Sequence, residues 1–346
     1  MIPSGIRFLI DGGHQAPSPD NSQPWCFTWD GEALTLSYKS DGPVAAVFGD
    51  DSHGEKLTMG AVIENIVQLA DAAGMDGNWD FEQAGRRYLR FTPARSSEEI
   101  EGDRQHAVFT RHTNRFTFSP DPISAKTVAG LETLEEQGCR AAVIDSPPEV
   151  SQLADWIRRA SAMRFRNRRL HEWFGQTLRF TPAEVDRGDG LDVATIELPP
   201  GGTGLLKLIM DWRRMERLNR IGMYRLLSGI ESQAIKKSPA LIAIMGPPDA
   251  SLAAGRLMER TWLEAERQGL AAQPFYVLPD QLVRLREGDL PADLSEEGRQ
   301  LQRDFAAVYG EQAFPHMLFR VGYPKAEVKR SRRLPVENVT QDTSSA

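Results

Sequence analysis

The sequence predicts an α+β protein assembled from two related halves. Two helix-forming stretches echo one another: Gly60, Glu64, Ala70 and Gly74 recur at identical spacing as Gly255, Glu259, Ala265 and Gly269. Strand-forming runs accompany each copy, and 346 residues are enough for two domains or one fused pair, with ample core and no need of staples.

In chain order, Trp25 to Trp29 and Ala33 to Tyr38 alternate around a turn at Asp30-Gly31 and read as a hairpin. Val62, Ile63, Ile66, Val67 and Ala70 then recur at helical period, and Gly74 stands where a left-handed C-terminal residue ends a helix. A polar stretch, Pro93-Ala-Arg-Ser-Ser-Glu-Glu, places a boundary near residues 95 to 105. Ala240 to Met245 is a short apolar strand ended by Gly246-Pro247-Pro248. The second helical copy follows, with Leu257, Met258, Trp262 and Ala265 on one face and Gly269 at its end. Two unrelated helices that share good stop chemistry are the alternative reading of the echo.

Composition bounds the function. A formal charge of −7 argues against wholesale binding of nucleic acid or anionic membrane. Two cysteines, Cys26 and Cys139, are too few for a disulfide scaffold and suit a reducing cytosol. The opening residues lack a basic stretch followed by a long apolar one, and no later run is apolar enough to span a bilayer, so a cytoplasmic location is expected.

Two polar segments carry the chemistry. Pro17-Ser18-Pro19-Asp20-Asn21-Ser22-Gln23-Pro24-Trp25 is a Pro-punctuated turn offering two carboxamides and a hydroxyl. Arg111-His112-Thr113-Asn114-Arg115 offers two guanidiniums within five residues. Carboxamides both donate and accept, and guanidiniums fork onto phosphate, so together they suit a ligand with a polar chain, a hydrogen-bonding ring and an anionic end. Flavin mononucleotide (FMN) has those parts.

These two segments, with Arg320-Val321-Gly322-Tyr323-Pro324 and Ser331-Arg332-Arg333, resemble the FMN-dependent nitroreductase superfamily, and more narrowly its long single-chain branch that includes the mycobacterial Acg proteins. The resemblance spans roughly residues 5 to 340. It implies a nitroreductase-like fold in which two fused halves, 1–100 and 101–334, form an intrachain pseudo-dimer, with a lid over about 173–202 and a flexible tail at 335–346. It further implies one FMN per chain, bound across the halves by Ser18, Asn21 and Gln23 from one and Arg111, Thr113 and Arg115 from the other. A second copy of the turn is missing before Ala240, where Ile235-Lys236-Lys237-Ser238-Pro239 stands instead. Arg332 or Arg333 joins the phosphate end; adjacent residues of an extended segment face opposite ways, so the choice is open.

No protein side chain is expected to be catalytic, since flavin N5 carries the hydride; Gln23 or Arg115 is the candidate to stabilise the reduced ring near N1 and O2. A small organic substrate and NAD(P)H are the implied partners, and the protein is expected as a monomer or a homodimer of fused chains. Two functions compete: an oxidoreductase of this kind, or a flavin-sequestering protein whose lid suppresses turnover.

Other features have plainer readings. His106 and His112 lack the companions of a metal site and read as surface or flavin-adjacent groups. Asp11-Gly12-Gly13 reads as a helix stop or turn rather than a phosphate loop. Arg164 to Arg169 reads as the basic side of a helix, and Trp25 suits a ring stack or the core equally.

Overall fold

The computed structural model describes residues 1–39, 47–49, 51–81, 86–95, 100 and 102–344. Twelve strands are named here in chain order: β1 (Trp25–Trp29), β2 (Leu34–Tyr38), β3 (Gly77–Asp80), β4 (Arg87–Pro93), β5 (Glu135–Glu136), β6 (Cys139–Ile144), β7 (Leu178–Arg179), β8 (Leu191–Asp192), β9 (Ala240–Gly246), β10 (Ala271–Phe275), β11 (Phe314–Gly322) and β12 (Thr340–Asp342). They form two five-stranded sheets, β12-β1-β2-β4-β3 and β10-β11-β9-β6-β5, and a small β7-β8 pair. The α+β architecture with two sheets is therefore as expected.

The expected β1-β2 hairpin forms, with Trp25 opposite Tyr38 and Trp29 opposite Leu34. Its turn is closed by the Asp30 carboxylate, which accepts from the backbone of Glu32 and Ala33 at 2.9 and 2.8 Å. Alternation puts Trp25, Phe27 and Trp29 in the core, which settles Trp25 as a core residue. Its indole donates to His14 Nδ1 at 3.0 Å.

The two echoed stretches are the helices His53–Ala72 and Ser251–Arg267, packed against each other between the sheets. Ser52 caps the first by accepting from Glu55 N. Each ends as expected, with Gly74 and Gly269 at φ +62° and +75°. Strand β9 is buried on both faces. Ala240, Ile242 and Ile244 join the core shared with the central helices, while Leu241, Ala243 and Met245 face an outer layer that includes helices Pro147–Arg164, Val277–Glu287 and Ser295–Tyr309. Complete burial explains its unbroken apolar run, each large side chain contributing about 1.5–3 kcal/mol.

The segment expected as a tail carries regular structure. Residues 336–339 form a 3-10 turn and β12 pairs in parallel with β1, Phe27 opposite Thr340. Backbone hydrogen bonding along β1 supplies order that the polar side chains of this segment do not advertise. Of the expected boundary region, residues 96–99 and 101 lie outside the described residues. No helix among the described residues is long and apolar enough to cross a membrane.

Candidate functional site

The site begins where helix Ser4–Gly13 ends. The chain passes through Gln15 and Ala16, then makes the turn at 18–23, in which Asp20, Asn21 and Gln23 all have positive φ (45°, 59° and 51°). Three non-glycine residues in that region within four positions are costly, and such strain persists only where the surroundings over-determine it. The surroundings here are specific: Ser18 Oγ accepts from Gln23 N at 3.0 Å, and Trp173 Nε1 donates to Asp20 Oδ2 at 2.8 Å.

Two guanidiniums from distant parts of the chain converge on this exit. Arg111, at the end of the short helix Ala107–Thr110, lies over the Trp262 ring, 4.4 Å from its centroid, and donates to Gln15 O. Arg333 donates to Ala16 O at 2.7 Å and to the same Gln15 O at 2.8 Å. The shared counter-charge is Glu259, whose Oε1 is 2.9 Å from Arg111 Nε, with both side chains almost fully buried. This is a close ion contact rather than an aligned hydrogen bond, and Asn65 is the uncharged polar side chain that also bears on the carboxylate.

Burial pushes the Glu259 carboxyl up to about 7, against the pull of Arg111. Burial, then repulsion from Arg111, lowers Arg333 to about 9. A buried cation, Arg111, and a partly buried one, Arg333, facing one reluctant carboxylate form a site that gains from an added anion. The corresponding position in the other echoed helix differs. Glu64 is met by Arg256 at 3.2 Å and Arg260 at 2.7 Å, and both arginines also reach Glu136, so two cations face two carboxylates. Charge is balanced around Glu64 and positive around Glu259.

The remaining expected residues divide. Arg115 donates to Thr195 Oγ1 at 3.3 Å and interacts electrostatically with the partly buried Asp20; desolvation lowers it to about 10. Thr113 takes part through its backbone, in a bridge to Ala272. Arg332 turns outward to Asp186 at 2.7 Å, both half-exposed or more, so Arg333 is the member of the pair that faces inward.

Asn21 and Gln23 hold protein rather than offering themselves. Asn21 Nδ2 points at Gly188 O, Gly190 O and Arg332 O, at 3.3, 3.2 and 2.8 Å. Gln23 Nε2 donates to Asn21 O and Gly188 O, and its Oε1 accepts from Leu334 N. Gln23, with both ends of its carboxamide engaged, can meet a ligand only if the Gly188 and Leu334 backbone moves away, whereas Asn21 has its Nδ2 engaged and its Oδ1 still able to accept. The donor set therefore fits the phosphate end of FMN at Arg111 and Arg333, while its polar chain and ring find Gln23 occupied and Asn21 half-committed.

The segment 173–202 lies on this turn. It is more regular than its loop-like composition suggests: β7 pairs with β8, and Thr181 and Glu184 make a capping box on the helix Pro182–Val185. Glu197 accepts from Thr117 N and Oγ1, and Lys329 reaches Asp192 at 2.6 Å.

The plainer readings fare as follows. His106 caps the helix Ala107–Thr110 by accepting from Val108 N, and His112 bonds Thr110 O. Among the described residues no group of three metal-ligating side chains occurs. Arg164, Arg166, Arg168 and Arg169 are each paired, with Glu231, Glu297, Glu172 and Asp289. Sequence reasoning missed Gln15 and Ala16, whose contribution is backbone carbonyl, and Glu259; a glutamate on an otherwise apolar helix face was its visible signal.

No protein-family model matches the chain. Over 337 residues, 92% of its length, it is 25% identical to an uncharacterised protein of Mycobacterium tuberculosis (strain CDC 1551 / Oshkosh), of which it covers 46%. The chain thus spans about half the length of the curated relative it matches. Among solved structures it is similar to a nitroreductase-like family protein from Bacillus cereus (TM-score 0.37, 11% identity, 69% of this chain and 95% of that one). It is also similar to an FMN-dependent nitroreductase from Mycobacterium smegmatis solved in complex with NADPH (TM-score 0.39, 16% identity, 68% and 96%). These are distant likenesses, and the chemistry of the site rests on this chain's own residues.

Proposed function

We propose that the chain is an FMN-dependent oxidoreductase of nitroreductase-like kind, acting on a small organic substrate with NAD(P)H as electron donor. The carrying observation is the convergence of Arg111 and Arg333 on Gln15 O beside a single, reluctantly ionised Glu259. In this reading the two guanidiniums grip the phosphate, with Glu259 holding Arg111 in place from behind. Arg115 and Asp20 stand further along the turn as a charged pair, and the 173–202 segment covers the turn and keeps water out. When bound, the flavin supplies hydride and electron transfer at N5. The balanced charges around Glu64 support about one flavin per chain, because that position has no excess cation to satisfy.

The ties between Asn21, Gln23 and Gly188 favour, as a second reading, a protein that holds flavin under a closed lid with little turnover. One experiment separates the readings: purify the protein, identify any released cofactor by mass spectrometry, and add NADPH without oxygen. Rapid bleaching of the flavin absorbance supports the oxidoreductase, flavin that resists bleaching supports sequestration, and a protein that neither carries nor takes up FMN overturns both.

A further inference from the structure

A cavity of about 350 Å³, whose lining includes neither Arg111 nor Arg333, lies between residues 47–49 and 51–54 on one side and the helix Val277–Glu287 on the other. Its aromatic walls are Phe48 and Tyr276, with ring centroids 6.3 Å apart. Phe48 also meets the edge of Trp173, the residue whose other end holds Asp20, so the Trp173 ring separates this cavity from the turn.

Behind Tyr276 runs a buried hydrogen-bond chain. Tyr276 Oη is 2.8 Å from His53 Nδ1, His53 Nε2 is 2.9 Å from His316 Nδ1, and His316 Nε2 is 3.0 Å from Pro247 O. The last link fixes all the others. A carbonyl only accepts, so His316 Nε2 carries the proton; in a neutral ring its Nδ1 then accepts, which requires His53 Nε2 to donate and His53 Nδ1 to accept. Burial keeps both rings neutral, lowering His316 to about 4 and His53 well below its ordinary value. The Tyr276 hydroxyl must therefore donate inward. Toward the cavity it can only accept.

The charges around the cavity lead to the same kind of ligand. Asp280 is held by Arg284 Nε at 3.0 and 3.1 Å, Asp289 by Arg284 and Arg169, and Asp51 by Lys56 at 2.7 Å. Glu287, which also lines the cavity, has no ion pair among the described residues. What remains unspent is a carboxylate, a phenolic oxygen restricted to accepting, and two aromatic faces.

We propose that this cavity is a binding site for a small aromatic ammonium compound, its ring against Phe48 and Tyr276 and its N–H donors directed to Tyr276 Oη and Glu287. The faces of Phe48 and Tyr276 favour a cation and a flat ring, and the acceptors exclude a carboxylate or phosphate. The site is independent of the flavin reading.

The test uses the full chain as purified, with benzylamine and benzoate as probes of matched size and opposite charge, followed by ligand-observed NMR and calorimetry. Benzylamine is expected to bind at millimolar concentration and benzoate not to. Tyr276→Phe and Glu287→Gln should each weaken benzylamine by roughly two- to tenfold, the yield of one hydrogen bond or exposed charge contact. Glu287 is exposed, so its variant keeps the test meaningful should Tyr276→Phe unsettle the buried histidines. Absence of benzylamine binding, equal binding of benzoate, or unchanged affinity in Glu287→Gln overturns the proposal, whatever the flavin experiment gives.

Discussion

Gly60 and Gly255 face each other where the two central helices cross: a Cβ on Gly60 would sit 2.3 Å from Leu252 O, and one on Gly255 would sit 2.3 Å from Leu57 O. The relationship is reciprocal, because the residues that echo one another in sequence occupy equivalent places on either side of the crossing. Backbone meets backbone there, and no side chain can bend away to make room.

Gly60→Ala and Gly255→Ala should therefore each destabilise the protein by about 1–3 kcal/mol or more through overpacking. Gly229, in the helix Met223–Lys236 with open space where its Cβ would lie, is the control; its change to Ala should stabilise by about 0.4–1 kcal/mol. Urea unfolding measures all three. A tolerated Gly60→Ala would mean that the helices can separate without loss.

Arg333→Ala should weaken FMN retention by roughly ten- to a hundredfold, about 1.5–3 kcal/mol for a charge-assisted contact. Arg332→Ala removes only a half-exposed pair with Asp186 and should change retention less than about twofold. Riboflavin, lacking the phosphate, should discriminate poorly between Arg333→Ala and the parent. Equal loss of FMN and riboflavin would make Arg333 a folding residue.

Glu259 should give stability a pH dependence of unusual sign. Its carboxyl titrates near 4.5 when unfolded and about 7 when folded, so between those values the folded state keeps a proton that the unfolded state has lost. Stability from this group is full below about pH 4.5 and declines as pH rises to about 7, by up to ~3 kcal/mol. His14 and His316, lowered to about 4, act oppositely, losing stability as pH falls from 6.5. Glu259→Gln removes only the first effect, so comparing its unfolding with the parent at about pH 5 and about pH 7.5 isolates Glu259. Parallel pH profiles would show that the folded carboxyl is already ionised throughout this range, so that its burial does not raise its titration.

Asn21→Ala removes the side chain that reaches Gly188 O, Gly190 O and Arg332 O. Cleavage by trypsin after Arg187 should become faster, while the melting temperature changes little, because the loss falls on a covering segment rather than the core. An unchanged cleavage rate would mean that Gln23 alone suffices to hold the segment.

Legibility in the sequence followed the range of the interaction. The hairpin was readable because Trp25, Phe27 and Trp29 alternate beside an Asp-Gly turn, and the central helices because period and closing glycine agree. Donor capacity at Asn21 and Gln23 was read correctly; what they bond was not, since a carboxamide donates to Gly188 O as readily as to a ligand. The choice between Arg332 and Arg333 needed the three-dimensional path of the segment. The Tyr276–His53–His316 chain joins residues more than 200 positions apart, and no local spacing announces it.

The pairing of β12 with β1 also constrains the order of events at the ribosome. Strand β1 is complete at Trp29, yet the neighbour that covers its outer edge begins at Thr340, about 300 residues later. At roughly 5–20 residues per second that interval lasts about 15–60 s, during which the first sheet presents an unpaired edge carrying Trp25, Phe27 and Trp29. A nascent chain of this protein is a natural client for a holdase over that window, and emergence of β12 is the step that closes the edge.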